Sequence, residues 1–202
     1  MSTSSVTPHA AVVEHWYDFI CPFCYIAQDR NTLLRKRGVR VVERGMRIHP
    51  EIGPGGAPAG PRSGPAYDFL AHEAAAAGLP LRWTDRIPYS RTALAVAEWI
   101  EQADPGAGEA FRASVFTAYF AEGRDIEPPE LLVALAQRAG VDPDRLREAL
   151  ATTAADEALA RSEDLARARG VTGTPTWIEG DRAFSGLRSR AWFAQWADAR
   201  PH

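Results

Sequence analysis

Tyr17–Arg30 reads YDFICPFCYIAQDR and holds both cysteines of a 202-residue chain. The stretch changes character at its middle. Upstream of Cys21, residues 11–20 (AVVEHWYDFI) are rich in β-branched and aromatic side chains, which predicts a buried strand ending at the first cysteine. Downstream, Tyr25, Ile26, Leu33 and Leu34 fall on a common side at helical spacing, which predicts a helix to about Arg37. Pro22 suits the first turn of that helix, where a missing N–H has no intrahelical partner anyway. Gly38 suits its end. The two cysteines therefore sit at a helix start, Cys21 at the cap and Cys24 one turn in.

Working outward, VRVVERGMRI at 39–48 reads as a second strand. The Gly- and Pro-dense run from His49 to Pro65 forms no regular element and reads as a long exposed loop. Helical patterning then dominates, at about 66–77, 90–103, 108–121, 128–139, 143–150 and 155–169. The breaks fall at GLPLRWTDRIPYS, DPG, EGRDI and GVDP, the last placing Asp142 as an N-cap and Pro143 at the first helical position. A hairpin at about 175–185 turns at EGD, and SRAWFAQWADAR closes the chain as an amphipathic helix carrying Trp192, Phe193 and Trp196. Residues 1–10 are polar and expected to fray. The order is βαβ, a helical block, then αββα. With most of the block removed, that is the thioredoxin topology, so the fold class is α/β: a thioredoxin fold interrupted by a large all-helical insertion. The division predicted is 11–60 and 155–202 for the thioredoxin-like part and 66–154 for the insert.

Composition narrows the function. Apolar residues make up 46% and charged residues 24%, ordinary for a globular protein, and the net charge of −3 gives no polyanion-binding signature. Basic clusters such as RKRG at Arg35–Gly38 read as solvated helix ends. The first twenty residues have no basic segment leading into an apolar one, and no run approaches a bilayer span, so neither a secretory signal nor a membrane partner is expected. The expected location is a reducing cytoplasm, where a CxxC pair is more often catalytic or metal-binding than structural.

A cysteine at a helix N-terminus faces unpaired backbone N–H groups and the positive end of the helix dipole, both of which favour thiolate. Cys21 is thus the expected nucleophile. Cys24 is placed to attack a mixed disulfide on Cys21 while shielded from solvent. Lowering a thiol pKa by about two units from ~8.5 raises the thiolate fraction roughly tenfold at pH ~7.5, but intrinsic nucleophilicity falls by about the same factor. The gain is in departure: the more acidic thiol leaves faster. Zinc is the competing chemistry, but a structural site wants four ligands, a second CxxC is lacking, and His15 and His49 would have to complete it. No metal is expected.

Three segments, DFICPFCYIA, VFTAYFAEGRDI and GVTGTPTWI, together resemble the DsbA-like branch of the thioredoxin superfamily, and within it the FrnE-like proteins; the likeness runs from about Val12 to Phe193. The resemblance implies thiol–disulfide oxidoreductase or isomerase activity with no bound cofactor. Protein or small-molecule thiols and disulfides are the implied substrates, with glutathione as a candidate redox partner. It matches Cys21 to the exposed nucleophile, Cys24 to its buried partner, and Pro22 and Phe23 to the dipeptide that tunes the couple. Thr174-Pro175 matches the cis-proline loop beside the cysteines, where an extended substrate would pair. Two departures matter. The second, C-terminal cysteine pair of some FrnE-like proteins is lacking. The glutathione-using relatives, kappa-class transferases and 2-hydroxychromene-2-carboxylate isomerases, typically carry serine where this chain has Cys21, and an asparagine–serine pair where RIPYSRTALA has Tyr89 and Ser90. A glutathione-dependent isomerase or transferase acting on a small molecule is the alternative function. A binding protein that keeps the fold without exchange activity is the third. Asp18, three residues before Cys21, reads either as a proton acceptor for Cys24 or as a surface carboxylate.

Overall fold

The computed structural model of the chain describes residues 12–200, so the fraying expected of residues 1–10 lies outside them. Strand β1 (Val12–Tyr17) lies inside a four-stranded sheet. It runs parallel to β2 (Arg40–Gly45), with Val13 opposite Val41 and Tyr17 opposite Gly45. On its other side it runs antiparallel to β5 (Thr176–Glu179), which pairs in turn with the edge strand β6 (Arg182–Ser185). Because successive side chains of a strand face opposite ways, β1 serves two layers. Val13 packs with Trp177 against Ala27, Leu33 and Leu34 of helix α1 (Pro22–Lys36) and Phe193 of helix α8 (Arg190–Asp198). Trp16 packs with Ile178 on the opposite face against Ala166 and Val171, which belong to helix α7 (Ala154–Ala168) and the turn after it.

Between β2 and α7 lies the helical block: α2 (Pro65–Ala76), α3 (Arg91–Ala103), α4 (Pro105–Phe116), α5 (Pro129–Arg138) and α6 (Pro143–Ala151). Its apolar faces do not form a separate core. Tyr17, Phe19, Tyr25 and Ile26 share one buried cluster with Leu94, Phe111, Phe116, Phe120 and Leu132, and both cysteines belong to that cluster.

Three expectations need correction. The insertion is not wholly helical: within it β4 (Arg86–Ile87) pairs antiparallel with β3 (Ala57–Pro58), which lies ahead of the insert, a two-residue ladder inside segments read as loop. Strand β1 stops at Tyr17 rather than at the first cysteine, because the Asp18 carbonyl accepts from Cys21 N at 3.1 Å and closes a turn. DPG is a corner, not a gap. Asp104 ends α3 and caps α4, its carboxylate accepting from Gly106 N and Ala107 N at 2.9 and 3.1 Å, so Pro105 takes the first helical position and α4 starts three residues early. α4 continues into a π-helical turn at Thr117–Ala121. Asp142 caps α6 in the same manner, as its sequence pattern predicts.

The seam between sheet and insert carries buried charge. Glu43 of β2 meets Arg35 at 2.7 Å, Arg112 of α4 at 3.3 Å, Asn31 at 2.8 Å and His15 at 3.2 Å. Trp177 completes the set by donating to Asn31 at 2.9 Å. The Arg112 guanidinium beside Glu43 holds that carboxyl well below its usual range in spite of burial. His15 is thus an internal residue of this network and no companion to the cysteines. Among the described residues no grouping of three or more His, Cys, Asp and Glu side chains suits a metal ion.

Candidate active site

Cys21 caps α1 with extended backbone (φ −84°, ψ 112°) and no side-chain capping bond, and Pro22 follows at the first helical position. Its carbonyl accepts from Cys24 N at 3.0 Å and Tyr25 N at 3.2 Å, which opens the helix. The cap geometry leaves Sγ free to face another segment. That segment is the loop before β5: the Cys21 thiol lies 3.4 Å from the Thr174 carbonyl oxygen, in position to donate to it. The Thr174–Pro175 peptide bond is cis. Pro175 is buried and its carbonyl accepts from Gly186 N at 2.8 Å, tying the loop to the segment after β6. Thr176 Oγ1 lies 2.7 Å from the Gly173 carbonyl and 2.5 Å from Ser185 Oγ, which fixes the loop from the other side.

Of the residues singled out from sequence, Cys21, Cys24 and Thr174 are in mutual reach. Pro22 and Phe23 are half-buried on the first turn of α1, with Phe23 packed against the large core cluster. One expectation fails. Cys21, matched to an exposed nucleophile, is only 3% exposed, because the insert and the proline loop close around the helix start; Cys24 is fully buried. Both are free thiols.

The two sulfurs differ in acidity. Burial alone would push Cys21 up, but the neighbouring Cys24 thiol, Thr174 and the backbone N–H of Cys24 outweigh it and hold the Cys21 thiol below its usual value. Burial raises Cys24 well above the ordinary range, and its bond to Cys21 raises it further. A low-pKa outer sulfur backed by a protonated inner one is what sequential thiol exchange requires.

Asp18 is not on the surface. It is fully buried, and its carboxylate accepts from Ile20 N at 3.3 Å and Ile48 N at 2.9 Å. Burial is the largest influence and pushes the carboxyl up to about 6 against these donors. Sequence reasoning missed the part played by the segment leaving β2, whose Ile48 N holds Asp18. An acid inside the apolar run YDFIC was the available signal, since a carboxylate placed there has to be buried with partners. The aromatic residues Trp83, Trp99 and Tyr119 of the insert are packed against the core cluster, as expected for structural rather than substrate-facing rings.

The DSBA-like thioredoxin domain family matches residues 12–195. The chain belongs to that family. Among solved structures, a probable DsbA oxidoreductase from Streptomyces coelicolor is 28% identical, with 95% of this chain and 92% of that one covered at a TM-score of 0.74. A 2-hydroxychromene-2-carboxylate isomerase shares the fold at 21% identity and a TM-score of 0.73, covering 93% of each chain. The cytosolic disulfide reductase DsbM from Pseudomonas aeruginosa, solved with GSH, is 22% identical over 93% of this chain and 94% of its own, with a TM-score of 0.63. In this DSBA-like chain the cysteine pair, the proline loop and the insert converge on one place.

Proposed function

We propose that the protein is a dithiol–disulfide oxidoreductase working through Cys21 and Cys24. The observation that carries this reading is the placement of the pair: Cys21 caps α1 with its thiol 3.4 Å from the Thr174 carbonyl, and Cys24 is a fully buried thiol one turn in. The Cys21 thiolate attacks a disulfide R–S–S–R′, forming Cys21–S–S–R and releasing R′S⁻. Cys24 then loses its proton and attacks Cys21 Sγ, forming the internal disulfide and releasing RS⁻. Two electrons pass to the substrate, and the reverse sequence takes two from a substrate dithiol. Asp18, behind the pair, accepts the Cys24 proton. Thr174, whose carbonyl already faces Cys21, supplies backbone for an extended substrate once the substrate displaces that contact.

Cys21 is recessed, so a narrow disulfide or an extended segment reaches it more readily than a folded surface. Glutathione fits as the redox partner, and the likeness in fold to the GSH-bound DsbM supports it. We assign the reaction to a reducing cytoplasm on the same likeness to a cytosolic enzyme. No helix among the described residues is long and apolar enough to cross a membrane.

The test is equilibration across glutathione redox buffers, followed by thiol trapping and intact mass. A single two-electron transition is expected for the wild type, none for Cys21→Ser, and a persistent mixed disulfide for Cys24→Ser. The second reading, a glutathione-dependent isomerase, is favoured by the fold likeness to 2-hydroxychromene-2-carboxylate isomerase. It requires a stable glutathione complex and activity that survives loss of Cys24; a glutathione adduct with no internal disulfide would select it.

A further inference from the structure

Arg30 of α1 is a fully buried cation. Such a group keeps its place only when its donors are met, and the partners of this one belong to three segments. Nη1 donates to Asp29 of α1 at 2.6 Å, Nη2 to Glu73 of α2, and Nε to the Arg188 carbonyl at 3.3 Å. Arg188 lies in the short link, residues 186–189, between β6 and α8. That link is fixed at both ends. Gly186 N donates to the Pro175 carbonyl at 2.8 Å, and Arg190, the first residue of α8, reaches Asp29 at 3.2 Å. Between them, Leu187 packs against the cluster that holds the cysteines and also against the cluster under α8. A continuous path therefore joins the insert to the reactive sulfur. It runs from Glu73 through Arg30 to the Arg188 carbonyl, then along the link to Gly186 and the proline loop, whose Thr174 carbonyl faces Cys21 Sγ at 3.4 Å.

We propose that Arg30 is a positioning residue for the redox reaction: through the 186–189 link it holds the proline loop closed on Cys21, and its anchor on Glu73 ties that closure to the insert. The inference rests on the dithiol reading above and concerns how substrate gains the sulfur. Cys21 is 3% exposed, so the loop has to move before a disulfide lines up with Sγ. Lysine is no equivalent of Arg30, because one ammonium lacks the planar fork that reaches Asp29, Glu73 and the Arg188 carbonyl together. Glu73→Gln keeps an acceptor without the charge, and Glu73→Ala keeps neither.

The test reads access rather than acidity. Alkylation of Cys21 by iodoacetamide is timed on the plateau of its pH profile, with the modified cysteine located by mass fragmentation. Hydrogen exchange of the Gly186 amide is followed by NMR beside the amides of β1. For Arg30→Lys and Glu73→Ala, alkylation of Cys21 and exchange of Gly186 both speed up about tenfold, the worth of one hydrogen bond to a charged group. The β1 amides keep their wild-type rates, as a local opening requires. Glu73→Gln falls between those variants and the wild type. The wild type supplies an arm that needs no variant to fold: one opening exposes both groups, so Cys21 and the Gly186 amide are protected by factors equal within about threefold. Clearly unequal protection, unchanged alkylation in the folded variants, or β1 exchange that rises as much as that of Gly186 overturns the proposal. Equilibration of the wild type with glutathione is run in parallel. Absence of a two-electron transition sinks the dithiol reading, and faster alkylation in the variants then shows that only the reaction, and not Arg30's hold on the loop, was misassigned.

Discussion

At Cys21 the decisive interaction is with its own partner. Against burial, the neighbouring Cys24 thiol, Thr174 and a backbone N–H at the helix start hold its thiol below the ordinary value. Cys24→Ala removes the donor without adding a charge, so the pH midpoint for alkylation of Cys21 by iodoacetamide is expected to rise. Cys24→Ser keeps a hydroxyl donor and is expected to fall between Cys24→Ala and the wild type. Equal midpoints in all three would assign the acidity to the helix terminus alone. The residue scale is also where the sequence was most legible. Two cysteines at the junction of a strand pattern and a helix pattern are expected at a helix start, and Cys21 does cap α1 with Cys24 one turn in. The burial of Cys21 was not legible, because it depends on a loop 153 residues away whose carbonyl approaches Sγ.

At the element scale, α3 docks on the sheet through a buried acid. Glu98 accepts from Gly45 N, and burial pushes its carboxyl up to about 7. A carboxyl raised in the folded state above its unfolded value of 4.5 binds its proton better when folded, so its contribution is complete below pH 4.5 and is lost as pH rises through about 7. Glu98→Gln keeps the acceptor and removes the titration. It is expected to be more stable than wild type at pH 8, by at most about 3 kcal/mol at 1.36 kcal/mol per pKa unit, and nearly equal at pH 4; urea unfolding at the two pH values measures the difference. Glu43 behaves oppositely. Held well below 4.5, its contribution is present above that value and is lost as pH falls. Glu43→Ala strips a buried acceptor from Asn31, Arg35 and Arg112, leaving Arg112 only Glu101 at 2.6 Å, and is expected to lower stability by about 3–5 kcal/mol at pH 7, read from the urea midpoint. Helix positions were legible from periodicity and from Asp–Pro caps such as Asp142–Pro143. The seam was not, since Glu43 gains its meaning from Arg112, which lies far along the chain. The ladder of Ala57–Pro58 with Arg86–Ile87 escaped too, being two residues per strand in a Gly- and Pro-rich setting.

Across the whole molecule, one apolar cluster spans the active-site helix and the insert, so no element of either could keep its buried surface alone. Unfolding is expected to be a single transition. Loss of helical circular dichroism and exposure of Cys24 to a thiol reagent should share one denaturant midpoint. Earlier exposure of Cys24 would mean that the insert detaches while the sheet persists. The overall topology followed from the order of strand and helix patterns along the chain, whereas the merging of the cores could not, because periodicity reports which face of a helix is apolar and not what it meets.

The closeness of α3 to the sheet also bears on how such a protein can be altered. Glu98 meets β2 at Gly45, where a Cβ would lie 2.9 Å from Leu94 Cδ2. The cysteine motif and proline loop can be left untouched while this one contact is rewritten, so a family of variants differing only at residues 45, 94 and 98 can be sorted by robustness alone.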